Sequence, residues 1–155
     1  MSSSVTDRLD ALGIILPVPS RPAANYRPFV LHRGLLSIAG QLPLIDNSPV
    51  VTGRVPDQVA LDAARDAARL CAINILAQCS AALGGDLDRI AATLRVCGYV
   101  QAAHPFDGHA QVVNGASDLI CDVLGEAGRH ARAAVGCASL PRNAPVEVEA
   151  LFAVT

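Results

Sequence analysis

Apolar residues recur along this chain in two rhythms, and glycines and prolines separate the stretches that carry them. Residues 5–12 (VTDRLDAL) read as a short helix, with Ser3 or Ser4 as its cap. Gly13, Pro17, Pro19 and Pro22 then break the pattern into a loop. Residues 29–32 and 35–39 predict two strands joined by a tight turn at Arg33-Gly34. Residues 43–53 hold several turn formers, with a short strand expected at 50–52. The longest helical pattern covers residues 57–83. Val59, Ala63, Ala67, Leu70, Cys71, Asn74, Ala77 and Ala81 predict its apolar face, and Asp62, Arg65, Asp66 and Arg69 its solvated one. Gly84-Gly85 stops it.

Residues 90–100 are rich in β-branched side chains and predict a long strand. Residues 109–124 predict a second long helix, ended by Gly125 and Gly128. The last two strands are expected at 131–138 and 146–154, around a Pro141-Arg142-Asn143 turn. The order β-β-α-β-α-β-β implies an α+β domain with helices on one face of a mixed sheet. No repeat, linker or low-complexity stretch divides residues 1–155, so they read as one domain.

Composition adds an expectation of self-association. Hydrophobic residues make up 52% and charged ones 17% of the chain, against about 25% charged in typical soluble domains. A monomer of this size has little polar surface to cover that core, so burial against copies of itself, in closed symmetry, is expected. The net charge is −2 and basic residues do not cluster, which disfavours nucleic acid as a partner. All twelve basic residues are arginine, which removes Schiff-base and P-loop chemistry, both of which need lysine. The five cysteines include no C-x-x-C pair and fit free thiols in a reducing cytoplasm. The first sixteen residues contain no signal-type apolar core, and no apolar run reaches membrane-spanning length.

The candidate chemistry lies near the end of the chain. There are three glutamates, and two of them, Glu147 and Glu149, lie inside the last apolar strand. Arg132 stands alone in the small, apolar strand before it, on one face with His130, Ala134 and Gly136. An arginine fork matches a carboxylate in two charge-assisted bonds, and a nearby glutamate could deprotonate a water. The same residues could instead form a plain cross-strand ion pair. Gly40 ends a strand where a ligand could approach the backbone, or it is simply a turn residue. Tyr26 and Asn114 could line a site, cap an element or fill space. Of the four histidines only His130 could face Arg132. Metal-helix, nucleotide-binding and nucleophile-elbow motifs are absent, and Ser139 and Cys137 have no evident base partner.

Asn25-Tyr26, Ala39-Gly40-Gln41-Leu42-Pro43, Val113-Asn114-Gly115-Ala116, Ala131-Arg132-Ala133-Ala134 and Val146-Glu147-Val148-Glu149-Ala150 together resemble the RidA/YjgF family, also known as the L-PSP endoribonuclease family. The run GEAGRHARAAVGCASLP is similar to a divergent branch, with residues 1–22 as an N-terminal extension. The resemblance implies a chorismate-mutase-like α+β fold, two helices on one face of a mixed sheet, and a homotrimer with sites in the clefts between subunits. It implies hydrolytic deamination of small 2-imino or enamino acids to 2-keto acids and ammonia, without metal or organic cofactor. Arg132 matches the position that clamps the substrate carboxylate, and Glu149 the one that helps activate water. Tyr26, Gly40, Asn114, Ala133 and Ala134 match substrate-lining positions, and Glu147 matches no catalytic one. Ala39 and Ala134 depart from the archetype, which has serine and cysteine there. A non-catalytic binder of small carboxylates and an RNA-cleaving enzyme are the alternative functions.

Overall fold

In the computed structural model, which describes residues 3–155, the first helix begins at a side-chain cap. Ser4 Oγ accepts from the Asp7 N–H at 3.1 Å, and Asp7 Oδ2 accepts from the Ser4 N–H at 2.9 Å, a complete capping box. The helix that follows, α1 (Val5–Ala11), buries Val5 and Leu9. Asp88 Oδ1 holds its start by accepting from the Val5 N–H at 2.9 Å.

Strands β1 (Phe29–His32) and β2 (Leu35–Gln41) form a hairpin around Arg33-Gly34, both with positive φ, as a tight hairpin turn requires. A second, separate hairpin joins β3 (Leu44–Ile45) to β4 (Ser48–Pro49) around Asp46 and Asn47, at φ 48° and 63°. It replaces the strand expected at 50–52. Asp and Asn enter the left-handed region at low cost, so the chain reverses earlier than the later apolar run suggests.

Helix α2 (Leu61–Ala82) starts after residue 57 because a turn occupies the intervening residues. In it, Arg54 O accepts from the N–H groups of Gln58 and Val59 at 2.9 and 3.0 Å. Its buried residues are Ala64, Ala67, Ala68, Cys71, Ala72, Ile75, Leu76, Ala77, Gln78 and Cys79, so the expected Ala67, Cys71 and Ala77 are buried, whereas Ala63 and Ala81 are exposed. The expected face is therefore right along its centre and wrong at its margins. Alanines surround this helix on every side, so apolar spacing alone defines its phase poorly. The two large residues Ile75 and Leu76 set it once a sheet is there to receive them. Arg65 crosses to Asp118 at 2.8 Å instead of bonding within its own helix.

The remaining elements, β5 (Ile90–Gln101), α3 (His109–Leu124), β6 (Ala131–Cys137) and β7 (Val146–Val154), lie where the pattern predicts. The main sheet runs β1-β2-β7-β5-β6, with β5/β6 parallel and the other pairs antiparallel. Consecutive strands β6 and β7 are thus not neighbours, because β5 lies between them. Val146, Val148, Ala150 and Phe152 of the central strand point into the core under α2 and α3. Glu147, Glu149 and Leu151 alternate onto the opposite face. No described helix covers that second face, and Val30, Leu35 and Val135 are 48%, 47% and 46% exposed on it. Among the described residues no helix is long and apolar enough to cross a membrane.

The two long helices pack closely because α3 carries a glycine at their contact. A Cβ at Gly115 would lie 2.0 Å from the Arg65 carbonyl oxygen, a backbone atom that cannot swing aside. Gly115→Ala is therefore expected to force the helices apart and cost about 1–3 kcal/mol, measurable as a lower melting temperature.

Candidate functional site

Arg132 lies on β6, an edge strand, opposite Val96 of β5. Val96 is buried beneath the helices, so Arg132 points toward the helical side of the sheet. There α3 receives it. Arg132 Nη1 donates to Asn114 Oδ1 at 2.7 Å and to Ser117 Oγ at 3.2 Å. Asn114 and Ser117 are three residues apart and so share a helix face. Behind Ser117, His130 Nε2 lies 2.9 Å from Ser117 Oγ, and His130 Nδ1 lies 2.6 Å from Gly128 O. A carbonyl only accepts, so Nδ1 carries the proton. In the neutral ring Nε2 then accepts from the Ser117 hydroxyl, which leaves the serine lone pairs facing Arg132. The relay fixes one end of the guanidinium. Nε and Nη2, its side-on edge, carry no hydrogen bond among the described residues.

A second group lies across the sheet. Between Ile38↔Ala150 and Gln41↔Val148 the register of β2 shifts, so Ala39 and Gly40 together oppose Glu149. This is a β-bulge, a device that re-aims residues beside sites. The Glu147 carboxyl lies directly on Gly40, whose added Cβ would meet Oε1 at 2.0 Å. Tyr26, Gly40, Glu147, Arg21 and Arg142 all line a cavity of about 330 Å³ here. Burial pushes the Glu147 carboxyl above its usual range, and the charge of Glu149 adds to the shift.

Glu149 lines a different depression, of about 220 Å³, with Ser37, Arg95, Cys97 and Leu151. Tyr99 Oη donates to Glu149 Oε1 at 3.2 Å. Burial, a hydrogen bond with Cys97 and the Glu149 charge push the Tyr99 hydroxyl up to about 12, so it keeps the proton that it donates.

Of the residues singled out from sequence, one chain brings Arg132 together with Asn114, and His130 joins them through Ser117. It brings Tyr26 together with Gly40, but with Glu147 beside them. Glu149 stands apart with Tyr99, on the face opposite Arg132 and two strands away. Ala134 shares the Arg132 face, and Ala133, opposite Cys97, faces the other way. The cross-strand Arg–Glu ion pair does not form, because β5 intervenes and the alternation sends the side chains to opposite faces. None of the ion pairs among the described residues involves Arg132, Glu147 or Glu149. Sequence reasoning missed Ser117, Tyr99 and Arg142. Helical spacing from Asn114 could have found Ser117. Tyr99 requires the β5/β7 register, and Arg142 reads only as a turn residue. Among the described residues no three His, Cys, Asp or Glu side chains gather as a metal site.

Residues 6–154 match the model of the YjgF/chorismate mutase-like endoribonuclease family. The chain belongs to this family. Within the YjgF group it is similar to protein TCP17 of Trypanosoma cruzi, 43% identical over 97% of this chain and 94% of that protein. It is also similar to the crystal structure of Atu1372 from Agrobacterium tumefaciens, a protein of unknown function. That likeness has 48% identity and a TM-score of 0.91 over 97% of this chain and 92% of the other. An endoribonuclease-designated structure from Shewanella oneidensis superposes with a TM-score of 0.94 at 28% identity, over 98% of this chain and all of the other. Escherichia coli TdcF, solved with bound serine, shares the YjgF fold at 17% identity and a TM-score of 0.64, over 89% of this chain and 94% of that one.

The Glu147 shift has a consequence for stability. Burial favours the neutral carboxyl in the folded chain, so the folded state holds this proton more tightly than the unfolded state. Stability then falls as pH rises from the ordinary carboxylate range through the raised value. Glu147→Gln is expected to melt higher than the parent at about pH 8 and no higher at about pH 4, as read from thermal unfolding at both.

Proposed function

We propose that this protein hydrolyses small 2-imino acids to 2-keto acids and ammonia, as a homotrimer whose sites form between copies. The observation that carries this reading is Arg132. Its Nη1 is fixed by Asn114 and Ser117 while Nε and Nη2 carry no hydrogen bond among the described residues. A fork held at one end and open along its side suits the bidentate capture of a substrate carboxylate. The exposed apolar positions on the uncovered sheet face support assembly, because such a surface calls for a partner. Assembly also offers a way to bring Glu149 of one copy to Arg132 of another. The serine bound to TdcF is consistent with a small amino-acid-like ligand. Five free cysteines support the cytoplasm as its compartment.

In the reaction, water oxygen bonds to the imine carbon as Glu149 takes a water proton. Glu149 returns that proton to the nitrogen to give the carbinolamine; the carbinolamine hydroxyl proton then passes to the nitrogen, the C–N bond breaks, and ammonia leaves as the C=O bond forms. Tyr99 orients Glu149 through its hydroxyl, and Arg132 holds C1 in place. Such imines hydrolyse unaided, so positioning and one base supply enough.

Purified protein is expected to speed the loss of 2-iminobutyrate and 2-iminopropionate over buffer. No acceleration with either overturns the reading. Calorimetric binding of 2-oxobutyrate without turnover would leave a carboxylate-binding protein instead.

A further inference from the structure

The cavity beside Gly40, which Arg132 of the same chain does not line, carries two arginines of its own. Arg21 and Arg142 both line it, against Glu147 as its one acidic residue. Neither arginine has an ion-pair partner among the described residues. Burial already biases Glu147 toward its neutral form, which lessens the one repulsion an incoming anion would meet there.

Arg142 is held in place at a conformational cost. Its backbone lies in the left-handed region, at φ 59° and ψ 21°, where an arginine gains nothing from a short polar side chain. Asn143 follows at φ 55°. The surrounding structure enforces this turn. The buried Gln101 carboxamide bridges it, with Oε1 accepting from the Leu140 N–H at 2.9 Å and Nε2 donating to Asn143 Oδ1 at 2.7 Å. The Gly53 N–H bonds Asn143 O at 2.8 Å. Arg142 Nη1 then donates to Asn47 Oδ1 at 3.3 Å, which aims the guanidinium along the cavity wall. Strain that the fold enforces from several sides is found at functional positions.

Side chains of α2 fix the neighbouring loops as well. Gln78 Nε2 donates to Ser20 O at 3.0 Å, and Asn74 Nδ2 donates to Leu42 O and Leu44 O at 3.0 and 3.1 Å. A neighbouring recess of about 460 Å³ shares Ser20, Arg21, Leu44 and Asn47 with the first cavity. The two hollows therefore adjoin at Arg21, and the recess adds Asp46 to their lining.

We infer that the preferred substrates are dicarboxylic 2-imino acids, whose distal carboxylate is bound by Arg142 with Arg21. This rests on the deaminase reading above, in which assembly brings Arg132 of another copy to the face that carries the glutamates, and it names the substrate class of that shared site. Arg132 takes the carboxylate next to the imine, and the reaction is unchanged: water adds at the imine carbon and ammonia leaves.

The test compares 2-iminoglutarate with 2-iminobutyrate, each generated in situ by an amino-acid oxidase. The parent is expected to favour the diacid in kcat/KM by about tenfold or more, the scale of one charge-assisted contact. Arg142→Gln is expected to lower kcat/KM far more for 2-iminoglutarate than for 2-iminobutyrate. Arg142→Gly, whose backbone suits the left-handed turn, is expected to fold normally and give the same loss of preference, while Arg142→Lys recovers part of it. Equal use of both imines by the parent, or an equal loss on both in the variants, overturns the inference and leaves the deaminase reading standing. If neither imine is accelerated the deaminase reading falls. Calorimetry then decides the rest, and 2-oxoglutarate binding no tighter than 2-oxobutyrate overturns the dicarboxylate preference as well.

Discussion

Arg132→Ala is expected to reduce the hydrolysis of 2-iminobutyrate to the rate in buffer. In the proposed reaction the side-on edge of this guanidinium gives a substrate carboxylate two charge-assisted bonds, each worth about 1.5–3 kcal/mol. Their joint loss corresponds to roughly 10²–10⁴ in rate. The imine also decays spontaneously, so the acceleration to be lost is modest and a deficit of that size erases it. Arg132→Lys keeps the charge but not the fork and should recover only a fraction. The melting temperature should change little, because Arg132 is exposed on an edge strand and holds no ion pair. An alanine variant that keeps the parental rate would remove the clamp from the mechanism.

Mixing two inactive variants is expected to restore activity. Within one chain Arg132 points to the helical side of the sheet and Glu149 to the uncovered side, with β5 between their strands. No side-chain rotation brings them together, so a site containing both takes one residue from each of two copies. Arg132→Ala and Glu149→Gln, each inactive alone, are unfolded together in equal amounts and refolded. Each hybrid site draws an intact arginine with a probability of one half and an intact glutamate with the same probability. About a quarter of the parental activity should return, in a particle of trimeric mass by sedimentation. No recovery from a mixed trimer would overturn a site built from Arg132 of one copy and Glu149 of another. A monomer in solution would contradict the assembled site altogether.

Much of the fold is legible in the chain. The alternation of Val146 to Phe152 with Glu147 to Leu151 declares a strand buried on one face only. The positive φ values at Arg33-Gly34 and at Asp46-Asn47 occur where turn-forming residues stand, although the second turn was not singled out. The phase of α2 was legible only in part, because a helix built largely of alanine has nearly equal apolar faces until Ile75 and Leu76 find the sheet. The site was legible only in parts. Asn114 and Arg132 do meet, and Tyr26 and Gly40 do share a cavity. The expectation that Arg132 and the glutamates lie on adjacent strands failed, because order along a chain does not give order within a sheet.

By itself the sequence determined which segments become strands and helices, since local periodicity and turn chemistry act over a few residues. It also determined the family, through residues spread along nearly the whole chain. Tertiary structure alone decided that β5 inserts between β6 and β7, that Glu147 and not Glu149 lies on Gly40, and that Gln101 pins Arg142 beside the same cavity. Those outcomes depend on contacts between residues tens of positions apart, where strand pairing and close packing choose the partners and no local pattern records the choice.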